Sequence, residues 1–235
     1  MRIVVNHVTR MKGDHICVAG IDEETHEHVR PVAEDGSPLT RSLLRENGGP
    51  FAVGALVDIG KVKRTPSPPH TEDHKFEPAK AGYVEQLGGR NYLELLDAVS
   101  SKSLAGAFGP PLRRAKWTYA AAHGTGRRSL AVVRGHRRPA LAIDRKYGQS
   151  LQLQFNDVDP PAFLPVTDVR FFKADDNAIL RDVVGHVARR LATGVDVYLM
   201  LGLTRAYKGR EDDRERHWLQ VNGLCLADHP FGRAP

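Results

Sequence analysis

The residues best suited to chemistry are a basic run interleaved with aromatics. Arg113, Arg114, Lys116, Trp117 and Tyr119 open it, and Arg127, Arg128, Arg134, Arg137, Arg138, Arg145, Lys146 and Tyr147 follow. Cationic side chains neutralise phosphates and flat rings stack on bases, so nucleic-acid binding needs this mixture. Residues 113–146 hold 10 basic residues against the single acid Asp144, a balance of +9, whereas residues 1–112 carry −2 and residues 147–235 carry −1. The whole excess behind the net charge of +6 therefore sits in 34 residues. A field concentrated this way attracts polyanions more than the same charge spread evenly. The competing reading is a solvated, Arg-rich hairpin surface.

A second group lies near the C-terminus. If its two strands pair, Thr204, Arg205 and Tyr207 come near His217, Trp218, Gln220 and Asn222, and Trp218, Gln220 and Asn222 share one face. An aromatic beside amides on a β face can stack a base and read its edge. Against this stands a core role for Trp218, with the amides satisfying backbone groups. Arg10, Lys12 and Arg30 suggest a smaller cationic site, although pairing with Asp22 or Glu24 also accounts for Arg30.

Other chemistries find little support. Among 11 histidines, His26-Glu27-His28 and the His70, Asp73, His74 group lack the helical His-Glu-x-x-His spacing of a metalloprotease. Gly124-Thr125-Gly126-Arg127 lacks the Lys-Ser/Thr ending of a P-loop, and there is no GxSxG elbow. Cys17 and Cys225 belong to no CxxC pair and read as buried thiols. The sequence thus implies no catalytic residue, metal or cofactor. No apolar run approaches the ~18–20 residues of a membrane span, and the polar start reads as a first strand, so a cytoplasmic protein with no membrane partner is expected.

The elements that must position these groups are mostly strands. Arg2 to Val8 and His15 to Ile21 read as a hairpin, Val29 to Val32 as a third strand placed by Pro31 at an edge or beside a bulge, and Ala55 to Val62 as a fourth. Thr65 to Pro78, with four prolines, reads as a loop. Asn91 is the expected cap of a helix carrying Tyr92, Leu95, Leu96 and Val99. In the second half, Ser129 to Val133, Ala140 to Ile143, Leu151 to Asn156, Asp196 to Tyr207 and His217 to Leu226 read as strands, the last with a bulge near Gly223. Asp175 or Asp176 is the expected cap of a helix running to Gly194. About five strands and one helix per half predict a mostly β, minor α+β chain of two tandem OB-like barrels, residues 1–112 and 113–235, with a basic segment opening the second.

Two segments carry a family resemblance. Asn6 to Val32, with its basic turn, "CVAGID" and "VRPV", and the C-terminal "LGLTRAY" followed by "HWLQVNGLCL", resemble the opening and close of a prokaryotic family described as a dual OB-fold domain. The resemblance implies two OB-like barrels and supplies no catalytic residues.

The resulting expectation is a module for single-stranded DNA or RNA. Arg113, Arg114, Lys116, Arg127, Arg128, Arg137 and Arg138 are expected on phosphates, Trp117 and Trp218 on bases, and Arg205 and Asn222 beside them. One alternative is a nucleotide or modified-base sensor or enzyme, with a cleft between the barrels lined by Arg30, Arg205, Trp218 and Asn222. Another is an interaction module docking an acidic protein partner.

Overall fold

The computed structural model describes residues 1–144, 150–175, 177–209 and 213–231. Arg145, Lys146 and Tyr147 of the basic run, and the expected cap Asp176, lie outside the described residues. The first sheet contains β1 (Arg2–Arg10), β2 (His15–Asp22), β3 (His28–Ala33), β4 (Leu39–Thr40), β5 (Ala55–Asp58), β6 (Lys63–Arg64), β7 (Asp73–Phe76) and β8 (Gly82–Gln86). Its order is β6-β7-β3-β2-β1-β5-β8, with β4 added on β2. Ile3, Val5, Val8, Val18, Val29, Phe51, Val57 and Phe76 pack one apolar cluster.

Two departures from the sequence expectation shape the candidate site. The proline-rich stretch 65–78 contains β7, which pairs in parallel with β3 from Arg30↔Asp73 to Ala33↔Phe76. All four prolines fall outside β7, so its amides remain free to pair. Pro31 accordingly lies in an interior strand. β3 pairs with β2 only at Val29 and His28, and Arg30 N–H donates to the Glu72 carbonyl at 2.9 Å. Neighbouring amides point to opposite sides of a strand, so the missing donor of Pro31 falls on the side that β2 has already left.

The second half comprises β9 (Ser100–Ser101), β10 (Leu112–Ala115), β11 (Thr118–Ala122), β12 (Leu130–Gly135), β13 (Ala140–Asp144), β14 (Ser150–Phe155), β15 (Ala162–Pro165), β16 (Val197–Leu203), β17 (Tyr207–Lys208) and β18 (Glu215–Leu226). One sheet runs β10-β11-β18-β16-β12-β9, with β17 on β18, and another runs β13-β14-β15. Leu151, Leu153 and Phe155, the apolar alternation of β14, join Val133, Leu199, Leu201, Leu219 and Val221 in a second cluster. The bulge lies at Asn222: Met200 pairs with Gly223 and Leu201 with Val221, leaving Asn222 as the extra residue.

Three α-helices complete the described residues. α1 (Gly89–Val99) starts after Gly88 rather than at Asn91. The short α2 (Leu104–Phe108) is capped by Ser103, which accepts from Gly106 N–H. α3 (Arg181–Ala192) begins well after Asp175, because the Phe172↔Ile179 bridge and Asn177 at φ 55° hold the intervening chain out of helix. Val184, Val187 and Leu191 of α3 enter the second cluster.

A third cluster joins the halves. Tyr92 and Leu96 of α1 meet Val4, Ile21 and Leu56 from one side and Val132, Tyr198, Met200 and Cys225 from the other. β16 is therefore buried on both faces, which explains its continuous apolar sequence. β18 crosses β1 at Gly223, where an added Cβ would lie 2.9 Å from His7 Cβ. Glycine permits that approach.

Candidate functional site

The polar residues of the junction form one hydrogen-bonded network. Arg30 Nε donates to Asp73 Oδ1 at 2.6 Å. Its terminal nitrogen lies 2.8 Å from His70 Nδ1 and donates to Ser129 Oγ at 3.0 Å. Glu72 accepts from the backbone N–H of Ser129 at 2.7 Å and of Leu130 at 3.1 Å, and from Ser129 Oγ at 3.0 Å. Arg205 reaches in from solvent and donates to Asp73 Oδ2 at 2.6 Å. Arg30, His70, Glu72, Asp73 and Ser129 are buried, so these groups have exchanged water for one another.

Histidines extend the network towards the surface. The rings of His70 and His217 meet edge to face at 5.1 Å, and His123 lies 5.7 Å beyond His217. Burial, followed by the charges of Arg30 and Arg205, lowers the His70 pKa to about 2. Burial likewise lowers His217. Neutral imidazoles next to two guanidiniums are the consequence near neutral pH. Among the described residues no group of three or more His, Cys, Asp or Glu side chains could hold a metal ion.

The outer face of the second sheet flanks this junction. Trp218 pairs with Ala120, and Ala120 in turn with Arg113. Residues directly opposed across strands share a face, so Arg113 and Trp218 belong to one surface. Tyr207 stands beside Trp218 at 6.2 Å, and Trp218 Nε1 donates to the Tyr207 carbonyl. At the β10–β11 turn, Lys116 adopts φ 55° and Trp117 projects outward, 66 % exposed. Ala120 is three residues from Trp117, about 10 Å along the strand.

The basic run does not stay together. Arg127 and Arg128 are exposed just before β12 and reach the junction, where Thr71 Oγ1 donates to the Arg127 carbonyl. Arg137 and Arg138 follow the other end of β12, about 20 Å away by strand length. There Arg137 N–H donates to Asp157, and Arg138 donates to the carbonyl of Ala192 at the end of α3, a favourable place for a cation. Arg134 bridges Asp97 and Asp196. Arg114 lies over Tyr119 and bonds to the Pro160 carbonyl. Asn222 is buried, contacts His7 Nε2 at 3.4 Å and accepts from Gln220. A Cβ at Gly202 would collide with the Asn222 amide, so a larger residue there would displace that side chain.

The structure therefore brings Arg127, Arg128 and Arg205 together at the junction rim, and Arg113 and Trp218 on the adjoining face, with Trp117 at the tip of the β10–β11 hairpin. It separates Arg137 and Arg138 from both. Sequence reasoning named His70, Asp73 and His217 without bringing them together, and it gave no site role to Glu72 or Ser129. The one available signal was the polar, non-proline tetrad at 72–75 inside a proline-rich stretch.

Mostly β architecture, with two strand-rich halves joined face to face, defines a tandem OB-type protein. Residues 1–224 match the family model described as a dual OB-containing domain, and the chain belongs to that family. No curated protein matches the sequence. OB folds are in general binding modules for nucleic acids or other ligands. None of the described helices is long and apolar enough to cross a membrane.

Proposed function

We propose that the protein binds single-stranded nucleic acid along the outer face of its second OB unit, with the strand's phosphates following the junction rim. Trp117 is the observation that carries this reading: a 66 % exposed indole at a hairpin tip, on the sheet that also presents Arg113, Trp218 and half-exposed Tyr207. An exposed indole is an unfavourable use of apolar surface unless a partner covers it, and a base has the matching flat face. Arg127, Arg128 and Arg205 then supply charge at the rim. The nucleotide-sensor alternative gains less support, because Arg30 and Asn222 are buried and already engaged by protein partners.

The test is filter binding of single- and double-stranded DNA and RNA at two salt concentrations. With about five phosphate contacts, log K should fall with log salt at a slope of roughly −3.5 for single strands. Absence of binding even at low salt would overturn the proposal in favour of an acidic protein partner. Tight binding of a mononucleotide that survives loss of the rim arginines but not Trp218→Ala would overturn it in favour of the sensor.

A further inference from the structure

A different pair of cations, on the first OB unit, has no carboxylate partner among the described residues. β1 and β4 flank β2, so that Arg10 and Leu39 both pair with Ile16. Arg41 follows β4 by one residue and is fixed by its N–H, which donates to the Asp14 carbonyl at 3.0 Å. The backbones of Arg10 and Leu39 are thus about 10 Å apart across one strand, within reach of two long side chains.

Arg41 is only 4 % exposed. One terminal nitrogen donates to Asn177 Oδ1 at 3.0 Å and reaches the Lys173 carbonyl at 3.5 Å, but its Nε has no partner. The Arg10 guanidinium sits 4.1 Å over the Phe172 ring, and its Nε is likewise buried and unpartnered. Burial and the charge of Arg41 lower the pKa of Arg10. Among the described residues neither guanidinium forms an ion pair with a carboxylate, although the nearby Arg170 takes Asp168 at 2.6 Å. Ring, backbone and amide contacts hold both planes in place without neutralising them. Burying two like charges without a counter-ion is costly, and an oxyanion seated between them would remove the cost.

We infer that Arg10 and Arg41 form an anion site at the β1–β2 end of the first OB unit, and that its ligand is a phosphate group. Guanidinium forks match phosphate oxygens with paired N–H bonds, and a doubly charged anion answers two cations. The phosphate is either the free ion or a group of a polynucleotide backbone, and the two share this chemistry. The site shares no residue with the face proposed above and does not depend on it.

The experiment is isothermal titration of the full chain with inorganic phosphate, at constant ionic strength set by chloride. Wild type should take up one phosphate saturably. Arg10→Gln, at a partly exposed position, should fold and weaken binding about tenfold or more, the loss expected of a charged hydrogen bond. Arg41→Lys is the second variant, keeping the charge while losing the fork, and should also weaken binding. Competition with a short single-stranded oligonucleotide separates the sources. Displacement of phosphate assigns the site to backbone phosphate, and its absence assigns the site to the free ion, both in support. Heat no different from a chloride titration, or full binding by Arg10→Gln, would overturn the inference.

Discussion

Arg30 donates to Ser129 Oγ at 3.0 Å across 99 positions of sequence, and the two residues come from different OB units. This bond lies in a network where every polar atom of Ser129 is accounted for: its hydroxyl and N–H bond to Glu72, and its carbonyl accepts from Leu203 N–H at 2.8 Å. The contact fixes the start of β12 against β7. It thereby sets where Arg127 and Arg128, the two residues before Ser129, leave the surface.

Glu72→Ala should destabilise the protein strongly. The change removes the acceptor for two backbone N–H groups and one hydroxyl, and each buried donor left unpaired costs about 1–3 kcal/mol. Urea unfolding measures it, and Glu72→Gln, which keeps an acceptor oxygen, should lose less. A midpoint unchanged in Glu72→Ala would mean that water enters the junction freely.

The two arginine pairs should separate cleanly. Arg127→Ala with Arg128→Ala should reduce the salt slope of single-strand binding by roughly 1.4, two contacts' worth, and weaken all sequences alike. Arg137→Ala with Arg138→Ala should leave the slope intact and instead lower thermal stability, because the Arg137 side chain donates to the Asn156 carbonyl and the Arg138 side chain to the Ala192 carbonyl at the end of α3. Trp117→Ala should cost about 1–3 kcal/mol of binding with no change in slope. Equal slopes for the two pairs would remove the rim from the reading.

Stability should fall in acid from about pH 6.5 downwards. Burial lowers His7 from 6.5 to about 3 and His28 to about 4, with His28 and Arg30 adding to the first and Arg128 to the second. Above 6.5 both folded and unfolded chains leave these rings neutral, so the stability is complete. Below it only the unfolded chain takes the protons, and stability is lost until the folded values near 4 and 3 are reached. Each such ring contributes a slope of about 1.4 kcal/mol per pH unit in that window. Denaturant midpoints across the window, for wild type and His28→Gln, test the sign, and the variant should show the shallower dependence.

Val184→Asp should unfold the second unit. Val184 is buried in the apolar stripe of α3, and an unpaired carboxylate there costs several kcal/mol. Thermal unfolding followed by circular dichroism is sufficient, and an unchanged melting temperature would place the stripe in solvent.

Local physics by itself determined much of this protein. Period-two alternation in Leu151-Gln152-Leu153-Gln154-Phe155 identified β14, the continuous apolar run from Val197 identified a strand buried on both faces, and the phase change at Gly223 announced the Asn222 bulge. Each signal lies within a few residues, where side-chain direction is fixed by backbone geometry. Tertiary structure decided what those signals could not contain. Asp73-His74-Lys75-Phe76 has a loop-like composition, and it becomes a strand because β3, 43 positions earlier at Arg30, supplies the parallel partner. Likewise, the sequence shows ten basic residues in one run, but β12 separates Arg127 and Arg128 from Arg137 and Arg138 and sends each pair to different partners. Charge is a property of composition. Which charges share a surface depends on strand pairing between distant segments, and that pairing is settled by burial of the whole core.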